Sequence, residues 1–100
     1  MKLATLNDGT PDGRLLVVSR DLKNAVDASG ISATMQNALD NWENVQPGLV
    51  DLYHRLNDGT LDGSFELSFD QLMAPLPRAR QWLDGSCFLR HGVLMQKDFN

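Results

Sequence analysis

Asn7-Asp8-Gly9-Thr10-Pro11-Asp12-Gly13-Arg14-Leu15-Leu16-Val17-Val18-Ser19 joins a dense cluster of turn formers to a short apolar run, and this junction decides the architecture. Four apolar residues in succession, two of them β-branched, suit a strand better than a helix. Upstream, Leu3 to Asn7 carries a weaker β pattern, so the two segments are expected to pair as a hairpin. Gly9 and Gly13 can take positive φ and Pro11 fixes its own φ, which is what a tight reversal needs. Downstream, Asp21 marks a second turn and Asn24 to Ala28 reads as a third strand.

From Ile31 the period changes. Ile31, Met35, Ala38, Leu39, Trp42 and Val45 recur at intervals of three and four, which places them on one helical stripe. Ser32 or Thr34 can accept the free amide hydrogens at its start. Pro47 suits the first turn of a second helix, whose stripe is Leu49, Val50, Tyr53 and Leu56 and whose end is set by Asn57-Asp58-Gly59. The expected fold is therefore α+β: a small antiparallel sheet packed against two helices, at about 33–44 and 47–57. Phe65, Leu67 and Phe69 alternate with polar residues as in a short strand, although Asp70 to Met73 can equally open a helical turn. Pro75 and Pro77 impose an extended path on themselves and on the residues before them. The reading divides the chain into an N-terminal domain, 1–77, and a linker into a new structural unit, 78–100, which is extended or poorly ordered.

Composition narrows the setting. Of 100 residues, 42% are hydrophobic and 22% charged, the proportions of a folded domain rather than a disordered one. A net charge of -4 offers no electrostatic footprint for nucleic acid or an anionic membrane surface. The longest apolar runs are far shorter than a membrane span and the N-terminus has no signal-peptide pattern, so a cytoplasmic setting is expected. Cys87 is the single cysteine, which excludes an intramolecular disulfide and a cysteine-rich metal site.

Leu6 to Gly13 and Leu56 to Gly63 match at seven of eight positions, which invites a calcium-loop reading. In the first copy Asp8, Thr10, Asp12 and Gly13 occupy the first, third, fifth and sixth places. The twelfth, where a bidentate glutamate belongs, is Ser19 there and Phe69 in the second copy. Turn formation is the better account of both. His54, between Tyr53 and Arg55 and off the apolar stripe, reads as a surface histidine, and Trp42 and Tyr53 as core or groove-lining aromatics. Arg78, Arg80 and Arg90 give the last quarter a basic bias that suits either ordinary solvation or the steering of an anion.

Asp84 and His91 stand seven positions apart. Taken alone, Leu83 to Ser86 is a turn and His91 a structural residue. The opening Met1 to Thr10, the stretch Asp12 to Asp21, and Ala74-Pro75-Leu76-Pro77-Arg78-Ala79-Arg80-Gln81-Trp82-Leu83-Asp84-Gly85-Ser86 together resemble the N-terminal region of bacterial fumarylacetoacetate hydrolase family proteins, over essentially the whole chain. The resemblance implies a small N-terminal domain followed by a larger catalytic β-rich domain, of which 78–100 would be the linker and truncated start. It also implies cleavage of a carbon–carbon bond in fumarylacetoacetate or a similar 1,3-diketo acid, a divalent cation (Mg2+ or Ca2+), and a homodimer as the full-length protein. It assigns Asp84 as a metal ligand and His91 as the general base that activates water, the remaining ligands lying beyond Asn100. On this reading the 100 residues hold no metal tightly and are inactive alone. Ser86 departs from members with tyrosine at that place, and Arg90 differs from the residue several relatives carry before the histidine. A second reading makes the domain a non-catalytic packing module that covers the catalytic domain or the dimer interface, and a third a free-standing adaptor.

Overall fold

The computed structural model describes residues 1–73, 87–90 and 93–96, with side chains given for 1–73 and Val93. Strand β1 (Lys2–Leu6) pairs antiparallel with β2 (Arg14–Val18) in the register Lys2↔Val18 to Leu6↔Arg14. The turn cluster between them closes the expected hairpin, with Gly9 and Gly13 at φ 91 and 69. β3 (Asn24–Asp27) adds to β2, and β4 (Phe65–Glu66) adds to β3. On the far edge of β1 lie β5 (Leu72–Met73) and β7 (Val93–Gln96), the latter paired with β6 (Cys87–Arg90). The path through the sheet is β4-β3-β2-β1-β7-β6, antiparallel throughout. This is the expected α+β architecture, and the described parts of the C-terminal segment are extended. The expected domain boundary between 77 and 78 lies outside the described residues.

Leu15, Leu16, Val17 and Val18 are all fully buried. A strand with one wet face would alternate; this one is apolar on both because both faces are covered. Leu15 and Val17 join Leu3, Val26, Met35, Leu49, Tyr53 and Leu56 beneath the helices. Leu16 and Val18 join Ala4, Ala25 and Val93 on the opposite face. Each such Leu or Val contributes about 1.5–3 kcal/mol by leaving water, so the hairpin is the mechanical centre of the domain.

Helix α1 (Met35–Asp40) is capped by Thr34, whose hydroxyl accepts from the Asn37 amide at 3.1 Å. Thr34→Ala is expected to lower stability by about 1 kcal/mol, read as an earlier urea midpoint at constant slope. Helix α2 (Trp42–Asp58) buries Leu49, Tyr53 and Leu56, one residue per turn, against the sheet. It stops at Gly59, at φ 76, whose amide reaches the Arg55 and Leu56 carbonyls. Two boundaries differ from the pattern-based expectation. Ile31 precedes α1 and is 38% exposed. The break between helices falls at Asn41 rather than before Pro47. The Asn41 side-chain amide donates to the Asn37 carbonyl at 3.2 Å, offering the backbone a non-helical alternative there. Pro47 is carried inside α2. Its missing N–H would have faced the Glu43 carbonyl; both residues are exposed, so that acceptor is open to solvent. Of the strand and helical-turn alternatives for Phe65 to Met73, each holds in part: β4 comes first, then a 3-10 turn over Phe69–Gln71, then β5.

Candidate functional site

The hairpin turn was the first candidate for chemistry, and its geometry shows what its polar groups do. Asp8 Oδ1 accepts from the Thr10 amide at 3.0 Å and from the Thr10 hydroxyl. The Thr10 hydroxyl oxygen accepts in turn from the Gly13 amide at 3.1 Å. Arg14 bridges outward, with Nε 3.7 Å from Asp8 Oδ2 and a terminal guanidinium nitrogen 3.0 Å from Asp27 Oδ2. Asp27 Oδ1 accepts from the Ser29 amide at 2.7 Å. The carboxylates are thus occupied in fixing the turn and in tying it to β3. The second copy of the motif uses the same residue types differently, since its Gly59 caps α2 and its Asp58 and Asp62 are exposed. Among the described residues there is no group of three or more His, Cys, Asp or Glu side chains able to hold a metal.

These carboxylates give the domain a pH signature. The Thr10 hydroxyl, then the Thr10 amide, hold Asp8 below its ordinary value of 3.8. For Asp27 burial pushes upward, but the Ser29 hydrogen bonds and Arg14 outweigh it, and the net direction is down. Asp21 is lowered by the Ser19 hydroxyl and the Lys23 amide. A depressed folded pKa stabilises above the unfolded pKa and loses that stabilisation as pH falls through the folded one. Urea midpoints are therefore expected to hold from neutrality to about pH 5 and to fall below about pH 4. Asp27→Asn should flatten part of the decline; an identical slope in that variant would remove Asp27 from the account.

A second polar cluster sits where the β2–β3 turn meets the end of α2. The Arg20 amide donates to Asn57 Oδ1 at 2.7 Å, and the Arg20 guanidinium lies 5.9 Å from the Tyr53 ring centre. His54 is exposed, its ring 5.9 Å from that of Tyr53. Tyr53 itself is buried in the helix-side core and Trp42 packs against it, so both aromatics are structural. Sequence reasoning gave no role to Arg14 or Asp27 and read Asn57 only as part of the helix stop, because each acts through a partner distant in the chain.

Asp84 and His91, the residues singled out for chemistry, lie outside the described residues, as do Arg78, Arg80 and Ser86. Arg90 and Cys87 are described only as backbone of β6. Among the described residues no helix is long and apolar enough to cross a membrane.

A helical pair over one face of a hairpin-centred antiparallel sheet, with its turn carboxylates bound to its own turns, defines a small α+β domain. The chain belongs to the fumarylacetoacetase N-terminal domain 2 family, whose family model matches residues 1–78. The match includes every element from β1 to β5 and ends before Asp84 and His91. Comparison with curated proteins found no match.

Proposed function

We propose that this chain is the N-terminal domain of a metal-dependent hydrolase that cleaves a carbon–carbon bond in fumarylacetoacetate or a similar 1,3-diketo acid. Membership of the fumarylacetoacetase N-terminal domain family carries this reading. In it, the partner of the domain is the catalytic domain that follows, the full-length protein is a cytoplasmic homodimer, and Asp84 and His91 are the first of the catalytic groups along the chain. Asp84 would supply a hard oxygen donor suited to Mg2+ or Ca2+, and such an ion would lend charge stabilisation to an enolate leaving group. His91 takes the proton of the attacking water. The 100 residues alone turn over no substrate, because two groups of this kind make neither a complete coordination sphere nor an oriented base.

Packing without chemistry is the alternative for the domain itself. The bound state of Asp8 and Asp27 favours it, as does the exposure of Phe65 (36%) and Phe69 (41%). The two readings part on an assay of the full-length protein with an acylpyruvate or fumarylacetoacetate, with and without chelator. Cleavage that disappears with EDTA and returns with Mg2+ supports the hydrolase. Metal-independent cleavage, or none at all with metal present, removes it.

A further inference from the structure

Five aspartates of the chain stand directly before a glycine: Asp8, Asp12, Asp58, Asp62 and Asp84. Such a pair can react with itself. The amide nitrogen of the glycine attacks the carboxyl carbon of the aspartate side chain, and the absence of a Cβ leaves that approach open. An N–C bond forms and closes a five-membered succinimide, while the carboxyl hydroxyl leaves with the amide proton as water. Water then reopens the ring at either carbonyl. One opening restores aspartate, and the other routes the backbone through the side chain as isoaspartate. The net change is an isomerisation that consumes no further reactant.

Asp84 lies outside the described residues, and the fold treats the other four pairs unequally. The Gly9 amide donates to Asn7 Oδ1 at 3.3 Å, and both Asp8 carboxylate oxygens are engaged, one by Thr10 and one by Arg14. The Gly13 amide donates to the Thr10 hydroxyl oxygen at 3.1 Å, and Gly13 is buried. The Gly59 amide closes α2 on the Arg55 and Leu56 carbonyls, with Asp58 as the last helical residue. In all three, the attacking nitrogen must first give up a hydrogen bond.

Gly63 is the exception. It occupies the same place in the second copy of the near-repeat as Gly13 does in the first, but Thr60, the counterpart of Thr10, turns its hydroxyl to the Arg55 carbonyl at 3.4 Å. Among the described residues neither the Gly63 amide nor the Asp62 carboxylate has a hydrogen-bond partner. Both residues are exposed in the turn between α2 and β4. Gly63 stands at φ 89, and nothing lies within 4 Å of the place a Cβ would take. The Asp62 side chain can therefore swing onto the Gly63 nitrogen without breaking a contact.

We propose that Asp62-Gly63 is a modification site, at which the folded protein forms isoaspartate ahead of the other described Asp-Gly pairs. The product adds one backbone carbon between α2 and β4, next to Leu61 on the helix-side core and just before the pairing of Phe65 with Ala25. It also frees an α-carboxylate, the group methylated by isoaspartyl carboxyl methyltransferases with S-adenosylmethionine as donor. The test is prolonged warm incubation of the full-length protein at neutral pH, native and in concentrated guanidinium chloride, followed by peptide mapping with electron-transfer fragmentation to tell isoaspartate from aspartate. In the native protein, isoaspartate at 62 is expected to exceed that at 8, 12 or 58 by about fivefold or more, the factor one net hydrogen bond imposes on a bound amide. In guanidinium the four yields are expected to fall within about twofold of one another, because unfolding frees all four amides alike. Equal native yields, or a larger one at 8, 12 or 58, would overturn the proposal. So would the same excess at 62 in guanidinium, which would assign it to the local sequence and not to the fold.

Discussion

Replacing His91 with alanine in the full-length protein is expected to slow diketo-acid cleavage by about 10²–10⁴-fold, the range typical of removing a positioned general base. That is roughly 3–5 kcal/mol of transition-state stabilisation. Water is a poor nucleophile until it loses a proton, and a neutral imidazole is the side chain best matched to accept one near pH 7. The loss should appear in kcat with little change in KM, because the proton moves only as the transition state forms. His54→Ala is the internal control: an exposed histidine on α2, it should leave the rate as it is. Asp84→Asn tests the metal role proposed for Asp84: it is expected to raise the metal concentration needed for half-activation. Activity of His91→Ala within about twofold of wild type, against the much larger loss a base implies, would eliminate the catalytic assignment.

The hairpin and both helical faces were legible because their signals are local. Asp8 to Gly13 announces a reversal within six residues, and Leu49, Tyr53 and Leu56 repeat once per turn. The break at Asn41 was not legible. Asparagine competes with the helix only when its own side chain finds the Asn37 carbonyl, whereas Pro47 is the stronger general breaker and drew the boundary to itself. Nor does any local pattern foretell that β5 and β7 share an edge of β1, since pairing between distant segments leaves no periodicity behind. The charge pairs tell the same story: Arg14 finds Asp27 through strand register, not spacing. For the candidate site, spacing between Asp84 and His91 carried no chemistry by itself, and resemblance to a family supplied the roles.

Gly13→Ala is expected to be the most damaging single-methyl change in the domain, because Gly13 combines two constraints. Its φ of 69 is left-handed, which costs an L-residue roughly 1–2 kcal/mol. A Cβ there would also stand 2.4 Å from Thr5 Cγ2, 2.6 Å from the Leu6 carbonyl oxygen and 2.8 Å from Met73 Sδ. The thioether of Met73 can swing away, but the carbonyl oxygen belongs to the backbone of β1 and can yield only if the strand moves, at an overpacking cost of about 1–3 kcal/mol. The sum, roughly 2–5 kcal/mol, is a large share of the 5–15 kcal/mol that holds a typical domain together. For a chain of this size it corresponds to a fall in Tm of about 10 °C or more. Gly9→Ala is the comparison that separates the two terms, since Gly9 has φ 91 but nothing within 4 Å of its would-be Cβ. It should carry the backbone penalty alone. Equal losses from the two substitutions would mean that the contacts with Thr5, Leu6 and Met73 contribute nothing. A loss at Gly13 greater by about 1 kcal/mol or more would show that the turn and the edge of β1 are packed against each other as one unit. In that case the same variant should also loosen the pairing of Met73 with Thr5.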